Sequence, residues 1–317
     1  MATKYTVHEH YVPQSYLKAF SDSTSEKHIW RYDLTGEYSI KSVPINSVCF
    51  VDHLYEIKNE AGEYIQRNEV EKLLQKYETS FCKVRQRILN RINCINPGST
   101  KTIASKEYKT ICEMIAIQIC RMPQSINIAK QRVREFMNED NMEQSFISML
   151  ALAFLLPLNI SAIKNNIPGV FNILKSRKNT PPLVEEFLRR MKEKKFAIGY
   201  APKGNIPTTD LPVFVSRDLN YDNNRKIFDF DLLIYPLSPS LVMFMWSDLI
   251  RSDLKENELF VLKEKHVIRI LRDIATVADR WLYSKKPLNR KERKIISEAR
   301  RIKTYEPDKP YDGSLYK

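Results

Sequence analysis

Glycine is scarce in this chain, with 7 in 317 residues. Phosphate-cradling loops need glycine, because the backbone must approach the ligand closely and adopt left-handed conformations. Neither GxGxxG nor GxxxxGKS/T occurs, which excludes a dinucleotide-binding or P-loop enzyme and any nucleotide cofactor of those classes. Cysteine is also sparse. Cys49, Cys82, Cys94, Cys112 and Cys120 are odd in number, scattered, and form no CxxC pair. That pattern excludes a disulfide framework or a zinc ribbon and fits free thiols in a reducing compartment. The first 25 residues are polar and mixed and carry no secretory signal, so a cytoplasmic protein is expected. No long hydrophobic run is present. The longest, from Phe146 to Leu158, is broken by Pro157 and falls short of the roughly 20 residues that span a bilayer. It reads as a buried helix, with no membrane association expected. HExxH, a nucleophile elbow, zinc-ligand spacing and a recognisable triad are likewise missing.

What is abundant is positive charge. Lys and Arg number 51 against 38 Asp and Glu, a formal net charge of +13. The excess is local. Ser284 to Lys303 holds nine basic residues and two Glu, among them Lys285, Lys286, Arg290, Lys291, Arg293, Lys294, Arg300 and Arg301. A one-signed run is the footprint of a surface that meets phosphates, so nucleic acid is the expected partner. The competing reading is a solvated helix kept soluble by its charge.

The hydrophobic pattern is ordinary for a globular chain, with 43% apolar and 28% charged residues. Strands are expected over His28–Leu34 and Glu37–Pro44, and a second hairpin over Leu54–Ile57 and Glu63–Gln66. The apolar spacing then becomes helical from Asn68 to Ile92, with Asn68 as N-cap and Glu71 at the capping-box position. Helices follow over Ser105–Met122, Gln124–Asn138, Met142–Asn165 and Leu183–Lys194. Strands return at Phe196–Tyr200, Val213–Ser216, Phe228–Tyr235 and Leu241–Trp246. A long helix over Lys263–Tyr283 and a basic one over Asn289–Lys303 complete the chain. Strands, helices, strands and helices in that order predict an α+β fold. A helix-rich block at about 68–194 would combine with a mostly antiparallel sheet built from N-terminal and later strands. The expected division is a single intertwined domain over 1–284, then a basic terminal helix and irregular tail over 285–317.

Several polar residues recur within apolar surroundings. His8 and His10 alternate around Glu9, so in an extended segment they share a face, and His10 adjoins the apolar docking residues that follow. Glu71 and Glu78 are two helical turns apart and also share a face, as acid–base groups or cation ligands would. Capping by Glu71 and simple exposure of Glu78 are the plainer alternatives. Gln118 and Arg121 lie in the apolar stretch Ile115–Cys120 and its continuation, and a buried guanidinium requires an acceptor. Glu71, Glu78, Asp218 or a bound phosphate would serve. Asp218 follows the apolar strand ending at Ser216, where sites often form, and would equally cap a turn.

HYVPQSYLKAF at 10–20 resembles the opening motif of the domain-of-unknown-function family DUF 4238. VCFVDHLYEI at 48–57, VEKLLQKYETSFCKV at 70–84, IAIQICRMP at 115–123 and YPLSPSLVMFM at 235–245 resemble its later segments in the same order, from about 8 to 284. Two departures stand out. Ser216-Arg217-Asp218-Leu219-Asn220 lacks the proline of the family's Ser-Asp-Asn-Pro, and no asparagine lies near Leu271 and Arg272. The resemblance implies a bacterial anti-phage effector, with a phage-encoded trigger as a further partner. Combined with the charge, it leads to the expectation of a metal-assisted nuclease using Mg or Mn. His10, Glu71, Glu78, Gln118, Arg121 and Asp218 would form the catalytic group, with Glu71, Glu78 and Asp218 on the metal. A non-catalytic sensor or binding module is the alternative, and a membrane-disrupting toxin the more distant one.

Overall fold

A computed structural model describes residues 5–22, 25–35, 39–59, 61–65, 67–92, 101–137, 143–158, 168–176, 182–216, 230–248 and 254–305. Along the chain, the first part runs β1 (His8–His10), α1 (Gln14–Leu17), β2 (His28–Asp33), β3 (Ile40–Pro44), β4 (Phe50–Asp52), β5 (Ile57–Lys58) and β6 (Tyr64–Ile65). The middle contains α2 (Glu69–Ile92), β7 (Lys101–Thr102), α3 (Ser105–Cys120), α4 (Pro123–Met137), α5 (Gln144–Leu155), α6 (Pro168–Ser176) and α7 (Leu183–Met191). The last part contains β8 (Lys195–Tyr200), β9 (Thr208–Thr209), β10 (Phe214–Ser216), β11 (Leu232–Ser238), β12 (Leu241–Trp246), β13 (Glu258–Val261), α8 (Glu264–Val277), β14 (Trp281–Ser284) and α9 (Arg290–Tyr305). The fold is α+β, with antiparallel sheets and a helical middle.

The chain divides into two compact units, each assembled from three stretches. The first comprises Met1–Tyr11, Cys49–Ser80 and Cys112–Arg189; the second comprises Val12–Val48, Phe81–Ile111 and Arg190–Lys317. In the first unit β1 pairs antiparallel with β4, and β5 with β6. Its core includes α5, whose residues from Ile147 to Leu155 are almost all buried. The apolar run from Phe146 is therefore an interior helix, and among the described residues no helix is long and apolar enough to cross a membrane.

The second unit contains a six-stranded sheet in the order β10-β11-β12-β8-β13-β7, antiparallel except for β13 beside β8. β11 and β12 are buried at every position, which explains their nearly unbroken apolar sequence. A second sheet, β3-β2-β14-β9, joins N-terminal strands to later ones as expected. Helix α8 serves both sheets. Ile270 and Ile274 join the cluster of the six-stranded sheet, and Ala275 joins that of the four-stranded one together with Leu282, Leu288 and Ile296. The opening motif supplies an aromatic centre here. The Tyr16 hydroxyl donates to the Pro236 carbonyl at 2.7 Å and lies 2.8 Å from the Thr208 hydroxyl, and its ring stacks on Tyr235.

One expected element is two. The helix read over Lys263–Tyr283 stops at Val277, and β14 begins at Trp281. The cause is remote in sequence. Asp210 accepts the backbone N–H groups of Asp279, Arg280 and Trp281 at 3.0, 2.8 and 2.9 Å. Those donors are thereby fixed outside any helical ladder and the chain turns into the sheet.

Candidate active site

β1 sets the first residues of the site by alternation. His8 and His10 lie on one side of the strand with Phe50, their rings 4.5 and 5.7 Å from its ring. His8 is exposed and pairs with Asp52 at 2.5 Å, whereas His10 is buried. Glu9 faces the other way and is only 1% exposed. It accepts the Tyr55 backbone N–H at 2.6 Å. Burial pushes its carboxyl up to about 8; the Tyr55 N–H opposes this, and nearby Glu71 and Glu56 reinforce it.

Gln-x-x-Arg-x-Pro supplies the centre. Gln118 lies in the last turn of α3, Arg121 forms the corner, and Pro123 opens α4, where its missing N–H costs no hydrogen bond. Arg121 is 1% exposed and engaged at each of its three side-chain nitrogens. It donates from Nη1 to Glu78 at 2.7 Å, from Nε to the Tyr55 hydroxyl at 3.2 Å, and from Nη2 to the His10 carbonyl. Burial opposes its charge, but Tyr55 and Glu78 outweigh burial and hold the guanidinium protonated. Burial also pushes the Tyr55 hydroxyl up to about 12, against the pull of Arg121. Gln118 donates to the Tyr11 carbonyl at 2.8 Å. Gln118 and Arg121 thus tie the end of β1 to the α3–α4 corner.

Glu71 does not complete a capping box. The Asn68 N–H goes to Glu56 at 2.6 Å, and Asn68 itself has a left-handed φ of 61°. That frees Glu71 to face the centre, where burial raises its carboxyl's pKa, Arg121 lowers it, and Glu78 and Glu56 raise it again. Glu78 thus pairs with the guanidinium and Glu71 feels its charge, while Glu9 and Glu56 are charge neighbours of Glu71. Oε1 of Glu9, Oε2 of Glu56, Oε1 of Glu71 and Oε1 of Gln118 are buried acceptors with no hydrogen-bond partner among the described residues. Glu56, Glu71 and Glu78 are partly exposed, so the cluster reaches solvent on one side. The arrangement can hold protons, and it offers acceptors to a cation or a donor.

His10, Glu71, Glu78, Gln118 and Arg121 thus converge in the first unit, with His10 taking part through its carbonyl. Asp218 lies outside the described residues. Among the described residues, no three His, Cys, Asp or Glu side chains are grouped to hold a metal ion. Glu9 and Glu56 escaped the sequence reading. Strand alternation was the available signal for Glu9, since an acid between two residues of one face belongs on the other.

The basic run is in the second unit. Lys286, Arg290, Lys291, Arg293, Lys294 and Arg301 are exposed, and Lys285 is half-buried. Lys291 pairs with Glu264 at 2.6 Å. Arg300 is held against the end of α8, donating to the Ala278 and Asp279 carbonyls at 2.7 and 3.2 Å.

No curated protein and no solved structure matches the chain. A family model described as a protein of unknown function (DUF4238) matches residues 8–287. That span holds Glu9, the Gln118–Arg121 corner, Glu71 and Glu78 of α2 and the Tyr16 centre, and the chain belongs to this family.

Proposed function

We propose that this protein hydrolyses nucleic-acid phosphodiesters, with the polar centre of the first unit as its catalytic group and the exposed face of α9 as a backbone grip. The observation that carries the reading is the set of neighbouring carboxyls Glu9, Glu56, Glu71 and Glu78, of which Glu78 is the one hydrogen-bonded to the buried guanidinium of Arg121. Structural ion pairing needs one carboxylate for one arginine; three more leave acceptors over. Glu9 and Glu71, whose carboxyls are shifted toward neutrality, are the proton-holding groups. Arg121, with its nitrogens already bound, is a positioning residue that fixes Glu78, and it is not the phosphate clamp. A carboxylate-rich site repels a polyanion, so Mg²⁺ or Mn²⁺ held by Glu71 and Glu78 would supply the compensating charge and Lewis acidity. The anti-phage setting, with a phage-encoded trigger, is supported by the family resemblance.

The engagement of Arg121 at all three nitrogens favours a second reading, in which the network only fixes the fold of a nucleic-acid-binding module. Purified protein incubated with end-labelled RNA and DNA, with Mg²⁺, Mn²⁺ or EDTA, separates the two. Cleavage that EDTA stops and Glu71→Gln lowers by about 100-fold or more, at an unchanged melting temperature, is expected of the nuclease. Binding without cleavage under all conditions would overturn the nuclease in favour of the binding module. Undiminished cleavage by Glu71→Gln would remove this site from the chemistry.

A further inference from the structure

The second unit contains a cavity of about 300 Å³ beside the first turns of α9. Leu34, Leu282, Leu288, Ile296 and the Tyr32 side chain make up its mostly apolar lining. The Tyr32 hydroxyl is already engaged, accepting the Leu288 N–H at 2.5 Å. Ser297 is the one uncharged polar side chain of the lining with a free role toward an occupant, since among the described residues no hydrogen bond of its side chain is found. The rim is cationic, with Arg290, Arg293 and Lys294. Lys294 has a long pair with Glu298 at 3.9 Å; among the described residues neither Arg290 nor Arg293 pairs with a carboxylate. The helix start itself is closed by a reciprocal pair, Asn289 Oδ1 to the Glu292 N–H at 2.9 Å and Glu292 Oε2 to the Asn289 N–H at 2.8 Å.

We propose that this cavity binds a small amphipathic anion, an alkyl chain carrying a carboxylate or phosphate head, with the chain on the apolar lining and the head between Arg290 and Arg293. The volume is at the lower end of small-molecule sites. The aliphatic lining selects against a nucleotide. A base edge seated there would lose water and find almost no donor or acceptor, a cost that a methylene chain does not incur. The paired guanidinium groups select the charged head, because planar forks match carboxylate and phosphate oxygens. This site is separate from the polar centre of the first unit, and its failure leaves the hydrolase reading standing.

Isothermal titration calorimetry of the full chain with decanoate, decyl phosphate, decanol, AMP and phosphatidylglycerol vesicles tests the proposal. Saturable 1:1 binding of decanoate and decyl phosphate is expected, with decanol and AMP each weaker by about tenfold or more. Arg290→Gln/Arg293→Gln alters only exposed side chains and is expected to weaken decanoate by about tenfold or more. Ser297→Phe is expected to abolish binding by filling the cavity; retained decanoate affinity in this variant would place the ligand elsewhere. Decanol binding as tightly as decanoate would overturn the anionic head. AMP binding as tightly would overturn the alkyl chain. Heat from vesicles alone would replace a soluble ligand by a lipid surface.

Discussion

Asp210 in the second unit and Glu9 in the first are both withdrawn from water, at 4% and 1% exposure, yet their surroundings treat them differently. Asp210 receives three backbone N–H groups from consecutive residues, which oppose the desolvation that raises its carboxyl's pKa. Glu9 has the Tyr55 N–H, with the Glu56 backbone as a weaker donor, lies beside two further carboxylates, and is driven up to about 8. Burial with a full set of donors makes a structural clasp. Burial with few donors beside like charges makes a group that holds a proton near neutral pH. The same division separates Arg121, engaged by Glu78, Tyr55 and the His10 carbonyl, from Glu71, whose Oε1 has no hydrogen-bond partner among the described residues.

The contrast breaks most visibly at the clasp. Asp210→Ala strands three backbone donors at the α8–β14 turn, and a loss of about 4 kcal/mol is expected in urea unfolding. A loss under about 1 kcal/mol would mean that the turn is held by something other than this carboxylate. Arg121→Met comes next, at about 3 kcal/mol, because it leaves Glu78 without its cation and the buried His10 carbonyl without its donor. In the Arg121→Met/Glu78→Leu double variant much of that loss is expected to return, since removing both partners leaves no uncompensated charge.

Glu9 gives the third effect, and its sign is opposite to that of a salt-bridged acid. A carboxyl raised in the folded state contributes stability that is fully present below its unfolded value, near 4.5, and is lost as pH rises through about 8. The protein is expected to lose stability steadily between pH 5 and pH 9 through this group. Asp210 and Glu71 are shifted in the same direction, so the informative quantity is the difference between wild type and Glu9→Gln. The variant should show a flatter profile and exceed wild type at pH 9. Parallel profiles would show that Glu9 is ionised in the folded protein at neutral pH.

The sequence carried much of this organisation where the signal was local. The 3.6-residue spacing of Val70, Leu74, Phe81, Val84 and Ile88 gave α2 almost to the residue, and Arg121-x-Pro123 marked a corner because proline tolerates only the first turn of a helix. Two of the misses share one cause. Ala278-Asp279-Arg280 contains no glycine or proline, so nothing local interrupts the helix; the interruption comes from Asp210, 69 to 71 residues away. The acceptors of Arg121 were only half legible, because side-chain types suggest Glu78 but a main-chain carbonyl 111 residues away leaves no mark in composition. Glu9, by contrast, is legible locally, since period-two alternation places it on the face opposite His8 and His10.

The smallest expected effect tests the division within one helix. On α9, Arg300 is tied to the Ala278 and Asp279 carbonyls, at the same turn that Asp210 clasps, whereas Arg293 is exposed and, among the described residues, unpaired with a carboxylate. If partner count separates structure from binding, Arg300→Gln should cost about 1 kcal/mol of stability and leave the salt dependence of nucleic-acid binding unchanged. Arg293→Gln should change stability by under about 0.5 kcal/mol and reduce the slope of log affinity against log salt by about 1, the loss of one phosphate contact. Fluorescence anisotropy with a labelled oligonucleotide at several salt concentrations, beside thermal melts, reads both quantities on the same preparations. Equal salt slopes for the two variants would show that the basic face of α9 is a solvated surface, and the nucleic-acid grip would then have to lie elsewhere on the chain.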